Sequence, residues 1–536
     1  CFWPKSSCTV FLQVAPRPKL LWGLRRMVAK KRKHSATEPA AAQAEHSDGS
    51  DGCLPEWVAA ASWVRSCGGT VHEALAMSCS REVNVTAAVS EGALLLRIPE
   101  QCLVTLSAAE SSAAGKKIFK AVSIVKAKLH NSSNDVALAM FLAFEMNAVS
   151  RFKDYAATLP PRASYNGLPR RWSDKKLARL LIGSPLLERT RRDREGLRQD
   201  YDLVASRWKS VDVALPSLEN FDQALAAVSS RAFAGLGGDE LDAMVPLLDL
   251  LDHRRGVGQA KDAQYKRAAD GAVEVRAQRA LAAGSAVCLT YGAKGNAQLL
   301  SCYGFCLRRN VEPDGSSNDV LEFALLGATV ALRAGPKAYT YGPFVKAIEM
   351  LRATQRKSVP SPAGGLSAEA ADMDQFLDEM DDMEGMCDLD GEDEGGEEEE
   401  KEDDEEEEGD DNHGENGHAN SDAATAAERK ALEAFASALE AASGRYSLRG
   451  AALAEALQEG APPHDRFTAM LVASEQRTID LFSEAVRLAL EALATQHGAT
   501  AEKKRKLSGN DDDARMLRSQ AEELVSAYMK IRHPSR

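Results

Sequence analysis

Between Asp372 and Asp411 the chain carries 25 aspartates and glutamates and a single lysine. Such a run cannot bury enough apolar surface to offset the entropy of ordering it, so it is expected to be disordered and to contribute no core. The 536-residue chain must therefore build its folded mass on either side of the run. The run also masks the character of the rest. The whole chain has a formal charge of −13 and this run −24, which leaves +11 on the remainder. A basic body with ordinary solvated Lys and Arg is the plainer reading, and a body that meets acidic partners is the other. The acidic run is itself either a solvated linker or a surface for a basic partner. Basic and aromatic residues do not interleave, so nucleic acid is not an expected partner.

Composition narrows the class. Hydrophobic residues make up 44% and aromatic residues 6% of the chain, which suits a globular protein rich in helix. No stretch of 18 apolar residues occurs, so no membrane span is expected. The ten cysteines include no CxxC pair, and no metal site is expected. Cys302 and Cys306, four apart, read as small core residues. Nothing resembles a disulfide framework, which points to a reducing compartment. Met27 is a candidate start, followed by Lys30-Lys31-Arg32-Lys33, and a second basic cluster lies at Lys503-Lys504-Arg505-Lys506. These clusters fit a nuclear address, so the expected location is nucleus and/or cytoplasm. The basic N-terminus also fits the remnant of a plastid presequence.

Residues 1–52 read as a disordered tail. Pro55–Cys67 reads as a helix with proline at its first position and Gly68-Gly69 beyond its end. Ala93–Pro99 reads as a strand stopped by proline, and Asn134–Met146 as a buried helix. Residues 150–230 continue helically, broken at Leu159-Pro160-Pro161. Val273–Val275 and Ala286–Tyr291 read as strands joined by a Gly284-Ser285 turn. Helices are then expected over 319–334, 338–354, 423–442 and 465–494. The expected organisation is a catalytic domain over 54–310 with a helical insertion near 134–230, and a helical domain over 316–359 plus 423–497. The acidic stretch 360–422 interrupts that helical domain, and 498–536 reads as a basic tail with a short helix.

Three clusters carry candidate chemistry. They are Ser230-Arg231-Ala232-Phe233, then Pro246-Leu247-Leu248-Asp249-Leu250-Leu251-Asp252-His253, then Tyr291 through Asn296-Ala297-Gln298-Leu299 to Tyr303-Gly304-Phe305. Singly, each has a bland reading: a structural histidine, a turn after a strand, a core aromatic. Their order and spacing together resemble the SET-domain protein methyltransferases, in the branch of Rubisco large-subunit methyltransferase. Those proteins read Ser-Arg-Ala-Phe, Pro-x-x-Asp-x-x-Asn-His, Tyr-x-x-x-x-Asn-Ala-Glu-Leu and Tyr-Gly-Phe. Leu94–Pro99, Asp135–Leu138 and the stretch from Tyr155 to Trp172 extend the likeness.

The resemblance implies an α+β fold of small sheets around a threaded segment, followed by an all-α substrate-binding domain. It implies S-adenosylmethionine as cofactor and a lysine amine of a protein as acceptor. Arg231, Asp249, Leu250, Leu251, Asp252, His253, Tyr303, Gly304 and Phe305 would line the cofactor pocket. Tyr291 would be catalytic, and Phe233, Tyr291 and Tyr303 would wall the lysine channel. A branch member that methylates histidine carries Asn where Phe233 stands, which favours lysine here. Two departures motivate a second reading, a weakly active or inactive SET-fold interaction module. Asp252 replaces the Asn before the histidine, and an ionised carboxylate only accepts hydrogen bonds. Ser80 and Glu82 fall where relatives have glycines that let backbone approach the cofactor.

Overall fold

The computed structural model describes residues 53–147, 150–211, 213–237, 242–254, 262–357, 416–496 and 512–532. The acidic run, the tail 1–52 and the cluster Lys503–Lys506 lie outside them. Twelve short strands lie among the described residues: β1 Thr70–Val71, β2 Leu75–Met77, β3 Val83–Val85, β4 Leu94–Ile98, β5 Ala232–Phe233, β6 Ala243–Met244, β7 Asp252–His253, β8 Ala263–Arg267, β9 Val273–Ala277, β10 Cys288–Leu289, β11 Val320–Leu325 and β12 Ala328–Arg333. They form small sheets. Only β1-β4-β9-β8 has four members, and the rest are pairs. With the helices around them, the architecture is α+β.

The expected strand at Ala93–Pro99 is β4, buried at Leu95, Leu96 and Ile98. The helix expected from Pro55 runs to Ser66, with Trp57, Ala60, Ala61 and Val64 buried. Burial of these side chains, at roughly 1.5–3 kcal/mol for each large one, fixes the helix on the sheet. The two strands expected around Gly284-Ser285 do form, as β9 and β10, but they are not partners. β9 pairs with β4 and β8, whereas β10 pairs in parallel with β7, matching Cys288 to Asp252 and Leu289 to His253. A parallel pair needs a crossover, so β7 and β10 are brought together by the long excursion through β8 and β9.

Helices fill the region between β4 and β5. Ser133–Glu145 is buried on every side from Val136 to Ala143, because it packs between neighbours, chiefly the helix Leu218–Arg231. That second helix ends at Arg231 and leads directly into β5.

One expected helix is a hairpin instead. Residues 319–334 form β11 and β12, paired from Val320↔Arg333 to Leu325↔Ala328. Leu321, Phe323 and Leu325 are buried while Val320, Glu322 and Ala324 are exposed. That period of two, closed by Leu326 (φ 53°) and Gly327 (φ 84°), specifies a tight hairpin. The apolar count alone suggested helix, and the alternation decides against it. Beyond the hairpin come helices Lys337–Lys357, Asn416–Gly444, Gly450–Ala456, Pro463–Gln496 and Asp512–Arg532. The second begins seven residues before the expected 423. The last is no tail: Leu524 and Tyr528 are fully buried against Phe344, in one core with Phe435 and Phe482.

Candidate active site

Arg231 emerges at the end of its helix and donates from Nη1 to the backbone carbonyl of Asp249. The same nitrogen lies 3.8 Å from Asp249 Oδ2. Asp249 sits in a single 3-10 turn, Leu248–Leu250, entered through Leu247 at φ 67°. A buried leucine at positive φ is strained by roughly 1–3 kcal/mol. The core contacts of Leu247 and Leu248 hold it there. Tyr155, from the helical insertion, donates its hydroxyl to Asp249 Oδ2 at 2.9 Å with both groups buried. Burial raises the Asp249 carboxyl to about 6, although Arg231 and the Tyr155 hydroxyl hold it down. Burial opposes the charge on Arg231, yet Asp249 and the tyrosines around it raise the guanidinium above its ordinary value.

The second half of the site is aromatic. His253 stacks on Tyr291 with centroids 4.9 Å apart and ring planes at 26°. Tyr291 stacks on Tyr303, also at 4.9 Å. Phe305 lies 6.1 Å from both His253 and Tyr303. The Tyr291 amide donates to His253 Nδ1 at 3.0 Å, and its hydroxyl donates to the Leu251 carbonyl at 3.0 Å. The β7/β10 register makes these contacts possible, because it brings His253 beside Leu289, two residues before Tyr291. Burial pushes the Tyr291 and Tyr303 hydroxyls up, so both are neutral phenols at working pH. Tyr303 ends a π-helical turn, Leu299–Tyr303, and Gly304 follows at φ 81°. A Cβ on Gly304 would meet Gly167 at 3.4 Å. The helical insertion therefore closes directly onto the Tyr303-Gly304-Phe305 strap.

Most of the expected site residues converge. Arg231 and Asp249 form one group, and Asp252, His253, Tyr291, Tyr303, Gly304 and Phe305 the other. Leu250 and Leu251 are different: their side chains are buried in the sheet core, and Leu251 faces the site only through its carbonyl. Phe233 packs edge-on against Tyr265 at 5.1 Å and is not part of the ring stack. Tyr265 lies close enough to Tyr303 to help raise its hydroxyl, so it belongs to the same wall. Tyr265 carried no motif, and Tyr165 lay within the Tyr155–Trp172 likeness without being assigned to the site. Their positions, on β8 and in the 3-10 segment Arg162–Gly167, become meaningful only once the chain is folded.

The turn at residues 78–82 has its own geometry. Arg81 adopts φ 68°, and its guanidinium donates to the Thr158 carbonyl. Its charge lowers the Asp249 carboxyl. Ser78 and Ser80 share a hydrogen bond at 2.7 Å. Asp252 is exposed, yet the protein packed around it, and then the charge of Glu82, raise its carboxyl. No cluster of three or more His, Cys, Asp or Glu able to hold a metal occurs among the described residues.

No protein-family model and no curated protein matches the chain. Solved structures do. The SET domain of LSMT bound to lysine and AdoHcy matches with a TM-score of 0.56 at 16% identity, over 86% of this chain and 98% of that one. Rubisco LSMT bound to AdoMet matches with a TM-score of 0.53 at 17% identity, over 86% and 99%. Rubisco LSMT bound to sinefungin and monomethyllysine gives 0.51 at 16%, over 87% and 99%. The chain therefore has the SET-domain fold. The likeness extends over nearly the whole of the Rubisco LSMT chain.

Proposed function

We propose that the protein is an S-adenosylmethionine-dependent protein-lysine N-methyltransferase. The observation that carries the reading is the stack His253–Tyr291–Tyr303, with the Tyr291 hydroxyl held on the Leu251 carbonyl. Solved structures of the same fold contain AdoMet, lysine and monomethyllysine. The donor set is suited to the cofactor. The Tyr165 hydroxyl lies against the Arg231 guanidinium, and Asp249 Oδ1 is buried without a hydrogen-bond partner. Buried polar atoms rarely stay unpaired, and a ligand bearing an ammonium would donate to that oxygen. When bound, the cofactor supplies an electrophilic methyl group on a sulfonium.

The chain's residues would do the rest. A free lysine amine has a pKa of about 10.4 and must lose its proton to attack. Apolar rings of Phe233, Tyr265, Tyr303 and Tyr291 disfavour the ammonium form by desolvation. The neutral Tyr291 phenol orients the amine, and its raised pKa keeps it from acting as a base. Fixing nucleophile and methyl group in line can contribute up to roughly 7–11 kcal/mol. Asp252 would accept from the ammonium of the cofactor. The decisive experiment is incubation of the protein with labelled S-adenosylmethionine and a cell lysate. A labelled protein band that disappears with Tyr291→Phe is expected, and no band with either protein refutes the activity.

A second reading rests on the turn at Ser80–Glu82. There, Arg81 fills the space beside Thr158 and Asp249, and Glu82 adds negative charge beside Asp252. A SET-fold interaction module with weak cofactor affinity would have such a turn. Calorimetry with S-adenosylmethionine separates the two readings, since the enzyme binds it and the module does not.

A further inference from the structure

Two cysteines meet where the helix Pro55–Ser66 reaches the four-stranded sheet. Cys67 follows the last turn of that helix, and its amide donates back to the Trp63 and Val64 carbonyls. Cys102 closes the 3-10 turn Glu100–Cys102 beyond β4, and its amide donates to the Pro99 carbonyl at 2.8 Å. Cys102 is fully buried in the core that the helix and the sheet share, and the half-buried Cys67 packs against the same core. The two thiols lie against each other.

The contact is fixed from both sides. β1 and β4 pair Thr70 with Arg97, so the chain that leaves Cys67 runs antiparallel to the chain that leads to Cys102. Gly69 lets the two segments touch: a Cβ there would lie 2.6 Å from the Arg97 carbonyl oxygen and 2.8 Å from Pro99 Cδ. Gln101 Nε2 then donates to the Cys67 carbonyl at 2.9 Å. The two cysteines of the π-helical region are placed differently. Cys306 donates its thiol to the Asn296 carbonyl at 3.6 Å, and Cys302 meets the Ser301 hydroxyl at 3.6 Å. Disulfide geometry tolerates little backbone movement, so a bond forms where two sulfurs already approach between fixed backbones.

We infer that Cys67 and Cys102 are a redox-modification site, which reacts with a small-molecule disulfide of the glutathione class and closes to a reversible Cys67–Cys102 disulfide. The two thiols have different parts. Cys67 is the one that solvent reaches. Burial, and then the neighbouring Cys67 thiol, push the Cys102 thiol up to about 12, while the charge of Arg151 favours its thiolate. Cys102 is therefore a poor first nucleophile and suits the second step. In the first step the Cys67 thiolate bonds to one sulfur of glutathione disulfide, whose S–S bond breaks and releases one glutathione thiolate. In the second, Cys102 Sγ bonds to the Cys67 sulfur and the mixed disulfide breaks. The Cys102 proton leaves with the second glutathione. Two protein thiols are oxidised, and one glutathione disulfide is reduced to two thiols.

The bridge joins the two ends of the segment 68–101, which carries β1 to β4 and the turn at residues 78–82. A cross-link over a loop of that length restricts the unfolded chain, so the oxidised protein is the more stable form. The inference does not depend on the methyltransferase reading, because neither sulfur belongs to that site.

The test equilibrates the full chain with reduced and oxidised glutathione at graded ratios and quenches it in acid. The remaining thiols are blocked with N-ethylmaleimide after unfolding, and unreduced peptides are mapped by mass spectrometry. The expected product is a linked pair of peptides holding Cys67 and Cys102, lighter than the two thiols by two hydrogens and separated by dithiothreitol. The melting temperature should rise by about 5 °C on oxidation and return on reduction. Cys67→Ser should lose that rise and leave Cys102 as a thiol. Cys102→Ala should hold glutathione on Cys67 at least about tenfold more than the parent does, because the second step is blocked. An oxidised parent that carries only glutathione on Cys67, or in which both cysteines are still blocked by N-ethylmaleimide, overturns the site. So does a rise in melting temperature that Cys67→Ser shows in full. Because Cys67→Ser leaves the buried thiol untouched, it decides the question even if Cys102→Ala does not fold.

Discussion

The two banks of the candidate active site are built differently. In the bank formed by His253, Tyr291, Tyr303 and Phe305, Tyr291 stacks between His253 and Tyr303, Phe305 meets both of them at an angle, and backbone groups fix His253 and Tyr291. The other bank, Ser78–Glu82, is a polar turn in which a non-glycine residue holds a left-handed conformation and a long cationic side chain reaches across to Thr158. The first bank has the rigidity that aligning two reactants demands. The second trades close backbone approach for side chains. The difference separates two properties that a fold likeness alone runs together, namely the capacity to orient an acceptor amine and the capacity to hold the cofactor.

The aromatic bank is broken most severely at Tyr291. Tyr291→Phe keeps the ring stack and removes only the hydroxyl. Methyl transfer is expected to fall by roughly 10²–10⁴, the range for loss of one positioned polar group in a transition state. Affinity for S-adenosylmethionine should change little. A comparable loss of cofactor affinity would mean that the hydroxyl serves the cofactor and not the amine.

Asp249 is the link between the banks, since it accepts from Tyr155 and sits beside Arg231 and Arg81. Asp249→Ala leaves a largely buried guanidinium without its partner, which should cost about 3 kcal/mol in urea unfolding. Tyr155→Phe tests the same node more gently. It removes a hydrogen bond that lowers the carboxyl, so the titration near pH 6 should move upward. Asp249 contributes stability that is full below its unfolded pKa and lost as pH rises through about 6, and in Tyr155→Phe that loss should come at higher pH. An unchanged midpoint in the pH profile of stability would show that the hydroxyl does not hold the charge.

Arg81→Gly addresses the polar bank alone. Glycine takes φ 68° without the Cβ penalty, which is worth roughly 1 kcal/mol, and the guanidinium leaves the Thr158 carbonyl. If this turn limits cofactor binding, affinity for S-adenosylmethionine should rise by about three- to tenfold while the aromatic bank stays as it was. A fall in affinity would show instead that Arg81 serves the cofactor.

This asymmetry also explains what could be read from the chain before it was folded. The aromatic bank was legible because its residues fall in short, ordered motifs, and strand pairing of β7 with β10 brings those motifs together. Tyr155, Tyr165 and Tyr265 were not assigned to the site, because they reach it from the insertion and from a neighbouring strand across long sequence separations. The hairpin β11/β12 was misread for a different reason. An apolar segment such as Val320–Leu326 is short enough to fit either period, and the alternation of buried Leu321, Phe323 and Leu325, closed by the Leu326-Gly327 turn, resolves it. A short helix was expected within 498–536, but the length and burial of Asp512–Arg532 were not, because its buried face completes a core whose other members are far away in sequence.

The smallest effect concerns the charge pair at the mouth of the polar bank. Asp252, though exposed, has its carboxyl raised first by the protein packed around it and then by Glu82. A carboxyl raised in the folded state contributes stability that is full below its unfolded pKa of about 3.9 and is lost as pH rises through the folded value. Glu82→Gln removes part of the cause and leaves the surrounding protein. The variant should therefore be slightly more stable than the parent near neutral pH, by about 1–2 °C in melting temperature, because the site is exposed and screened. Near the unfolded pKa, where both proteins carry a protonated Asp252, the advantage should vanish. An advantage of the same size at both pH values would assign it to the loss of the Glu82 side chain itself. A difference that grows with pH ties Glu82 to Asp252 and makes the turn, rather than the aromatic stack, the pH-sensitive part of the site.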